Sequence, residues 1–178
     1  PEGSGQLITT HCTDQRVQVL HHPSNQGVGA GMLTAYQAAL RDGLDIVYVL
    51  RVPTHKMMNT SLGVGARLPA AWTSMGRVLL ASLPDEELQS RLATLPLQRH
   101  TAHTATDLPT LLERIRQART QGWCLVNQEL EEGLISIAAP LTNRLGQTVA
   151  ALNISGQANR TSAELMQQTL LPPLLRAA

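Results

Sequence analysis

A short turn between two strand-like runs constrains the fold of this chain more than any other feature. Residues 33–41 and 45–52 alternate or run apolar in the manner of strands, and they flank Asp42-Gly43-Leu44. Asp-Gly between such runs is a strong hairpin signal. The continuous apolar stretch 46–50 is typical of a central strand. Because short turns join antiparallel neighbours, the pattern predicts an antiparallel sheet.

A second set of strand patterns lies in the C-terminal half. Residues 134–139 and 147–155 flank the turn 143–146, which predicts another hairpin, and residues 123–127 predict a strand before it. The two predicted hairpins therefore bracket the middle of the chain.

Helix signals fill the region between the hairpins. Thr73 is a good N-cap for a helix that stops at Pro84, where acidic residues open the next helix. Asp107 caps a third helix, which Gly122 ends. This order of elements predicts the α+β (α/β) class rather than a doubly wound parallel sheet.

A final helix is predicted after the last strand. Thr161 and Glu164 form a capping-box pattern at its start. Pro172 and Pro173 are expected to interrupt or end it, because proline cannot donate a helical hydrogen bond.

The length of 178 residues fits one domain, which we assign to residues 33–178. Residues 1–32 stay unassigned, as a linker or a remnant of other sequence. Weaker patterns predict strands at 16–20 and 57–62, and glycines and a proline predict a loop at 63–69.

Charge and composition exclude several partners and cofactors. The net charge of +1 argues against direct DNA binding by this chain alone, since such domains usually carry a basic excess. No apolar run reaches the length of a membrane span, and no signal peptide is expected. Cys12 and Cys124 lack the spacing of a zinc site, so we expect no metal, no cofactor and a cytoplasmic protein.

No established catalytic motif is present, yet several residues leave chemistry open. Glu129 and Glu131 could do acid–base work, although a solvated turn is the plainer interpretation. His100 and His103 are spaced like a metal pair but fit two solvated histidines better. Cys124 is better explained as a buried packing residue than as a nucleophile.

Ordered motifs over residues 42–178 carry a resemblance to a known family. The motifs are Asp42–Arg51, Gly65–Ala70, Thr73–Ala81, Arg119–Trp123, Gln128–Leu134, Ser136–Pro140 and Ala150–Gly156. Together they resemble the C-terminal effector-binding domain of the IclR family of bacterial transcription regulators. The residues at 73–77, 122–124 and 128–131 most resemble those of the branch that regulates β-ketoadipate and other aromatic-acid catabolism.

The resemblance implies a GAF-like fold, in which helices flank a curved, mostly antiparallel sheet whose concave face holds a small metabolite. It also implies site residues at the start of the Thr73 helix and along the strands. These are Ser74, Met75, Gly76, Asn127, Leu134, Ser136, Asn153 and Ser155. Trp72 stands where branch relatives often have a smaller residue, and it could stack on an aromatic ligand or fill part of the pocket. Arg51 and Arg67 could pair a carboxylate, but solvated arginines are an equal alternative.

The implied function is regulation without catalysis. The domain would sense an organic acid, aromatic or dicarboxylic, and would control a winged helix-turn-helix domain that residues 1–41 do not contain. Self-association as a dimer or tetramer is expected, since regulators of palindromic sites are oligomers. Two alternatives stay open: an enzyme acting on a small organic acid through Glu129, Glu131 or His103, and an oligomerisation module with a filled core.

Overall fold

The computed structural model describes residues 35–53 and 63–178, with side chains from Gln37 to Leu50 and from Gly63 onward. The predicted strands at 16–20 and 57–62 and the unassigned segment 1–32 lie outside the described residues.

Six strands form one sheet. They are β1 (Ala35–Asp42), β2 (Asp45–Pro53), β3 (Arg67–Pro69), β4 (Cys124–Asn127), β5 (Leu134–Thr142) and β6 (Thr148–Gln157). Their order across the sheet is β3-β2-β1-β6-β5-β4, and every pairing is antiparallel. The sheet is curled and carries helices on its faces, which confirms the predicted α+β, GAF-like class.

Both predicted hairpins are confirmed. Asp42 pairs with Asp45 across a tight turn in which Gly43 has a φ of 64°, a conformation that favours glycine. In the second hairpin, the side-chain oxygen of Asn143 accepts hydrogen bonds from the backbone N–H groups of Leu145 and Gln147.

The predicted loop at 63–69 was wrong at its end, because Arg67–Pro69 forms β3 on the edge of β2. Three residues are too few to show alternation in the sequence. Arg67 also binds Asp42 and Asp45 of the neighbouring hairpin, at 2.7 and 3.3 Å, and these tertiary contacts help to hold the strand in place.

The helices between the hairpins agree with the predicted caps. A 3₁₀ turn (Ala70–Trp72) precedes α1 (Ser74–Leu80), α2 (Asp85–Ala93) and α3 (Leu108–Gln121). The Thr73 hydroxyl accepts from the Gly76 N–H at 3.1 Å, and the Asp107 carboxylate accepts from the Thr110 N–H at 2.8 Å. Gly122 ends α3 with a φ of 77°.

The C-terminal helix differs from its prediction in two respects. Its N-cap is Ser162, whose hydroxyl accepts from the Leu165 N–H, and not Thr161. The helical turns run through α4 (Ala163–Leu165), a π-helical turn (Met166–Leu170) and α5 (Leu171–Ala177). The two prolines lie in the first turn of α5, where a missing N–H costs little, so they do not end the helix.

Helices cover both faces of the sheet. On one face, α1, α2 and α3 pack with small sheet residues such as Ala138 and Ala151 in the main core. The other face contacts α5 and buries an aliphatic set, which comprises Ile135, Ile137, Ile154, Met166, Leu170 and Leu174. No helix in the described ranges is long and apolar enough to cross a membrane.

Candidate functional site

A buried polar cluster lies between α1 and the sheet. Ser136 of β5 and Ser155 of β6 are paired across the two strands, and Asn153 lies two residues before Ser155 on the same face. The Ser74 and Ser136 hydroxyl oxygens are 2.9 Å apart, and Asn153 Nδ2 donates to Ser155 Oγ at 3.1 Å. The structure therefore brings together four of the residues that the sequence analysis names.

Burial makes this cluster unusual in an otherwise aliphatic core. Ser74, Ser136, Asn153 and Ser155 are all less than a tenth exposed. The other carboxamide atom, Asn153 Oδ1, is buried without a hydrogen-bond partner. Buried polar atoms normally have partners, so an orphan acceptor within a polar cluster calls for an explanation, and a ligand that donates to it would supply one.

The sequence analysis missed Gln37, which belongs to the same patch. Gln37 of β1 is the cross-strand partner of Asn153 and is 6% exposed. Its side chain lies on the same face, because directly paired residues share a face. A glutamine in the middle of an apolar strand is the signal that could have revealed it.

Three other named residues have packing roles around α1. The Trp72 indole N–H donates to the Ala105 carbonyl at 3.0 Å, and its ring meets His100 edge-on at 4.9 Å. Met75 is 1% exposed in the main core. Gly76 lies against the preceding 3₁₀ turn, where an added Cβ would be 2.2 Å from the Ala70 carbonyl oxygen. Glycine at this position allows α1 to approach that turn.

The last two named residues lie at the margin of the patch. Leu134 is half-buried and shares the face of Ser136, two residues along β5. Asn127 pairs with Ile135, so its side chain projects from the opposite face of the sheet, and it is exposed. The structure thus separates Asn127 from the polar cluster.

A buried ion pair anchors α1 to the loop before β5. The Arg77 guanidinium binds both oxygens of Glu129, at 2.7 and 2.6 Å, and its Nε donates to the Ala71 carbonyl. Arg114 of α3 adds a third contact to Glu129 at 2.7 Å. Sequence reasoning missed this pair, although an arginine followed by Val-Leu-Leu on a helix is a signal of burial.

The same loop is held from the other side by threonine hydroxyls. Thr101 Oγ1 donates to the Gln128 carbonyl at 2.6 Å, and Thr104 Oγ1 donates to the Glu129 carbonyl at 2.7 Å. Glu129 is therefore a fully bonded structural carboxylate. A cavity of about 390 Å³ beside it is lined mainly by charged and amide side chains, including Arg114, Gln117 and Gln121.

The remaining candidates for chemistry have no reactive environment. Cys124 is buried in the main core, in agreement with the predicted packing role, and burial raises the pKa of its thiol to about 11, which disfavours the thiolate. His100, His103 and Glu131 are exposed. Among the residues that the structure describes, no three His, Cys, Asp or Glu side chains cluster as a metal site would require. Arg67 is half-exposed and bound to surface aspartates, and the Arg51 side chain lies outside the described residues.

Together, the curled sheet and the buried polar cluster beneath α1 define the class of protein: a small-molecule-binding regulatory domain of GAF-like architecture. The chain belongs to the IclR family, since residues 32–178 match the family described as "Bacterial transcriptional regulator IclR C-terminal". The family resemblance found in the sequence is confirmed.

Curated relatives agree with this assignment. The chain is 43% identical over 145 residues to the Pca regulon regulatory protein of Pseudomonas putida, covering 81% of this chain and 50% of the relative. It is 41% identical over 115 residues to the p-hydroxybenzoate hydroxylase transcriptional activator of Acinetobacter baylyi, covering 65% and 42%. The chain thus spans about half the length of these relatives. The names of these two relatives confirm the predicted branch of the family, the regulators of aromatic-acid catabolism.

A solved structure supports the fold. The inducer-binding domain of a PobR double mutant from Acinetobacter, in complex with 3-hydroxybenzoic acid, has a TM-score of 0.75 and 33% identity, covering 80% of this chain and 84% of that chain. The matched family and the relatives are transcriptional regulators and not enzymes, which argues against the alternative through Glu129 and Glu131.

Proposed function

We propose that this domain senses a small organic acid, aromatic or dicarboxylic, and controls DNA binding by a winged helix-turn-helix domain elsewhere in the full-length regulator. The observation that carries the proposal is the buried polar cluster of Ser74, Ser136, Asn153 and Ser155. The PobR domain that binds 3-hydroxybenzoic acid supports an aromatic acid as the effector.

The proposed effector site lies between α1 and the polar patch of the sheet. Small hydroxyls and an amide among aliphatic walls suit a compact acid, because a few polar groups orient a ligand that apolar walls enclose. Trp72, Met75, Gly76 and Leu134 would shape those walls. Asn127 would contribute only if the effector reached around the edge of β4.

Binding would act through a conformational equilibrium. An effector shifts the population toward the arrangement that it binds more tightly, by no more than its difference in affinity for the two. The regulator would act in the cytoplasm as a dimer or tetramer, since oligomers match palindromic operators.

A thermal-shift screen of the 178-residue chain tests the proposal. The panel contains 3-hydroxybenzoate, 4-hydroxybenzoate, protocatechuate, β-ketoadipate, pyruvate and glyoxylate. A ligand at 100 times its Kd stabilises the folded state by about 2.7 kcal/mol, so the Tm should rise by several degrees with at least one acid.

Ser136→Ala is expected to diminish that ligand-induced rise, because it removes a hydroxyl from the cluster. Ser90→Ala, at an exposed position of α2, is the matched control and should leave the rise unchanged. If no acid in the panel raises the Tm, the organic-acid sensor is contradicted and the oligomerisation module is favoured.

A further inference from the structure

We propose that Asn153 makes the effector site selective for an acid that carries a hydrogen-bond donor, such as a phenolic hydroxyl, over a similar acid without one. This inference rests on the proposed function and specifies the chemistry of the effector.

The inference starts from the environment of the Asn153 carboxamide. The residue is 3% exposed and lies on the α1 side of the sheet, two residues after Ala151, which packs in the main core with α1. Its Nδ2 donates to Ser155 Oγ at 3.1 Å. Its Oδ1 is buried and receives no hydrogen bond. The amide nitrogen thus has a partner within the cluster, and the amide oxygen is buried without a donor.

The serines of the cluster do not share this restriction. A hydroxyl can rotate to donate or to accept, so Ser74, Ser136 and Ser155 can adapt to either end of a ligand. A carboxamide oxygen only accepts. The requirement at Asn153 Oδ1 is therefore for an O–H or N–H group, and the serine hydroxyls have no equivalent requirement.

Because Oδ1 is already buried without a partner, a ligand that donates to it gains a hydrogen bond that a ligand without a donor cannot form. A carboxylate at this position would place acceptor against acceptor. The effector carboxylate is therefore directed to the serine hydroxyls, and its hydroxyl to Asn153. Sites built to bond a ligand hydroxyl reject the analogue that lacks it, so we expect about a tenfold to hundredfold difference in Kd.

Isothermal titration of the 178-residue chain with benzoate, 3-hydroxybenzoate, 4-hydroxybenzoate and β-ketoadipate tests this selectivity. At least one hydroxybenzoate should bind about tenfold or more tightly than benzoate, and more tightly than β-ketoadipate. The comparison of ligands on the unaltered chain needs no variant and so does not depend on one folding.

Asn153→Leu replaces the amide with an apolar side chain of similar size. It should abolish the preference for the hydroxyl by weakening hydroxybenzoate binding while preserving benzoate binding. Thr161→Val is the matched control, because Thr161 Oγ1 is also buried without a partner but lies after β6, outside the cluster. The control should keep the preference of the unaltered chain.

The outcomes separate this inference from the proposed function. Binding of benzoate or β-ketoadipate as tight as that of the hydroxybenzoates would overturn the inference and leave the acid sensor standing. A hydroxyl preference that persists in Asn153→Leu would also overturn it, because the serines would then supply the selectivity. If none of the acids binds, the aromatic or dicarboxylic sensor fails, and the inference fails with it.

Discussion

At the residue scale, the domain buries a charge pair inside a largely aliphatic core. The Arg77 and Glu129 side chains are 2% and 7% exposed, and the two residues are 52 positions apart in the chain. Burying charges is tolerable only when each has partners, and here all three guanidinium nitrogens and both carboxylate oxygens are bonded. The pair therefore ties α1 to the loop that leads into β5.

Glu129→Gln is expected to lower the free energy of unfolding by about 3–5 kcal/mol, because it leaves the buried Arg77 guanidinium without a counter-charge. Urea denaturation with linear extrapolation measures the change. Glu131→Gln, two residues away and exposed, is the control and should change stability by less than about 0.5 kcal/mol. Equal stability of the two variants would contradict a structural role for Glu129.

At the element scale, α1, α2 and α3 are joined by arginines of α3 that reach across to the other two helices. The Arg119 guanidinium donates to the Ala81 and Leu83 carbonyls, both at 2.7 Å, just after the end of α1. Arg119 and Arg116 also bind Asp85, the first residue of α2. One carboxylate thus connects the start of α2 with the last turns of α3.

Asp85→Asn is expected to destabilise the domain at neutral pH and progressively less below about pH 4. Hydrogen bonding by Arg119, with a smaller contribution from Arg116, lowers the pKa of Asp85 from its usual value. A carboxylate with a lowered folded-state pKa contributes stability above its unfolded pKa and loses it as the pH falls through the folded pKa.

Thermal unfolding of the unaltered chain and of Asp85→Asn, measured from pH 7 to pH 3, checks this pH dependence. The difference between the two Tm values should narrow at acid pH. Glu86→Gln, at the adjacent and exposed position in the same helical turn, is the control, and its gap should stay small throughout. A gap for Asp85→Asn that is constant with pH would argue against the ion-pair contribution.

At the scale of the whole molecule, the two faces of the sheet differ in the polarity of their buried side chains. The face toward α1 holds the polar cluster, and the face toward α5 is aliphatic throughout its buried positions. Because side chains alternate along a strand, Asn153 and Ile154 serve different faces although they are neighbours in the chain. Stability and effector binding should therefore be separable by mutation.

Leu174→Ala is expected to lower the free energy of unfolding by about 2–5 kcal/mol, because Leu174 lies on α5 and is 2% exposed. The Kd for the best acid should stay the same, since the change lies across the sheet from the polar cluster. Leu175→Ala, at the adjacent position with 47% exposure, is the control for the loss of a leucine. A weakened Kd in Leu174→Ala, measured by titration well below its Tm, would contradict the division between the faces.

Local chemistry explains why much of the fold is predictable from the sequence. The turn at Gly43, the cap at Thr73 and the cap at Asp107 each depend on groups within three residues of one another. Such interactions can be recognised from a few adjacent residues in the sequence. The ordered motifs that mark the IclR family extend the prediction to the whole domain, and with it to Ser74, Ser136, Asn153 and Ser155 as neighbours.

The sequence alone thus determined both hairpins, the caps at Thr73 and Asp107, the family and most of the polar cluster. Tertiary structure decided what depends on distant contacts: β3 on the edge of β2, the bond between Arg77 and Glu129, and the projection of Asn127 from the other face. It also decided that Asn153 keeps one acceptor unbonded. The physical reason is that pairing register and burial arise only when segments far apart in the chain pack together.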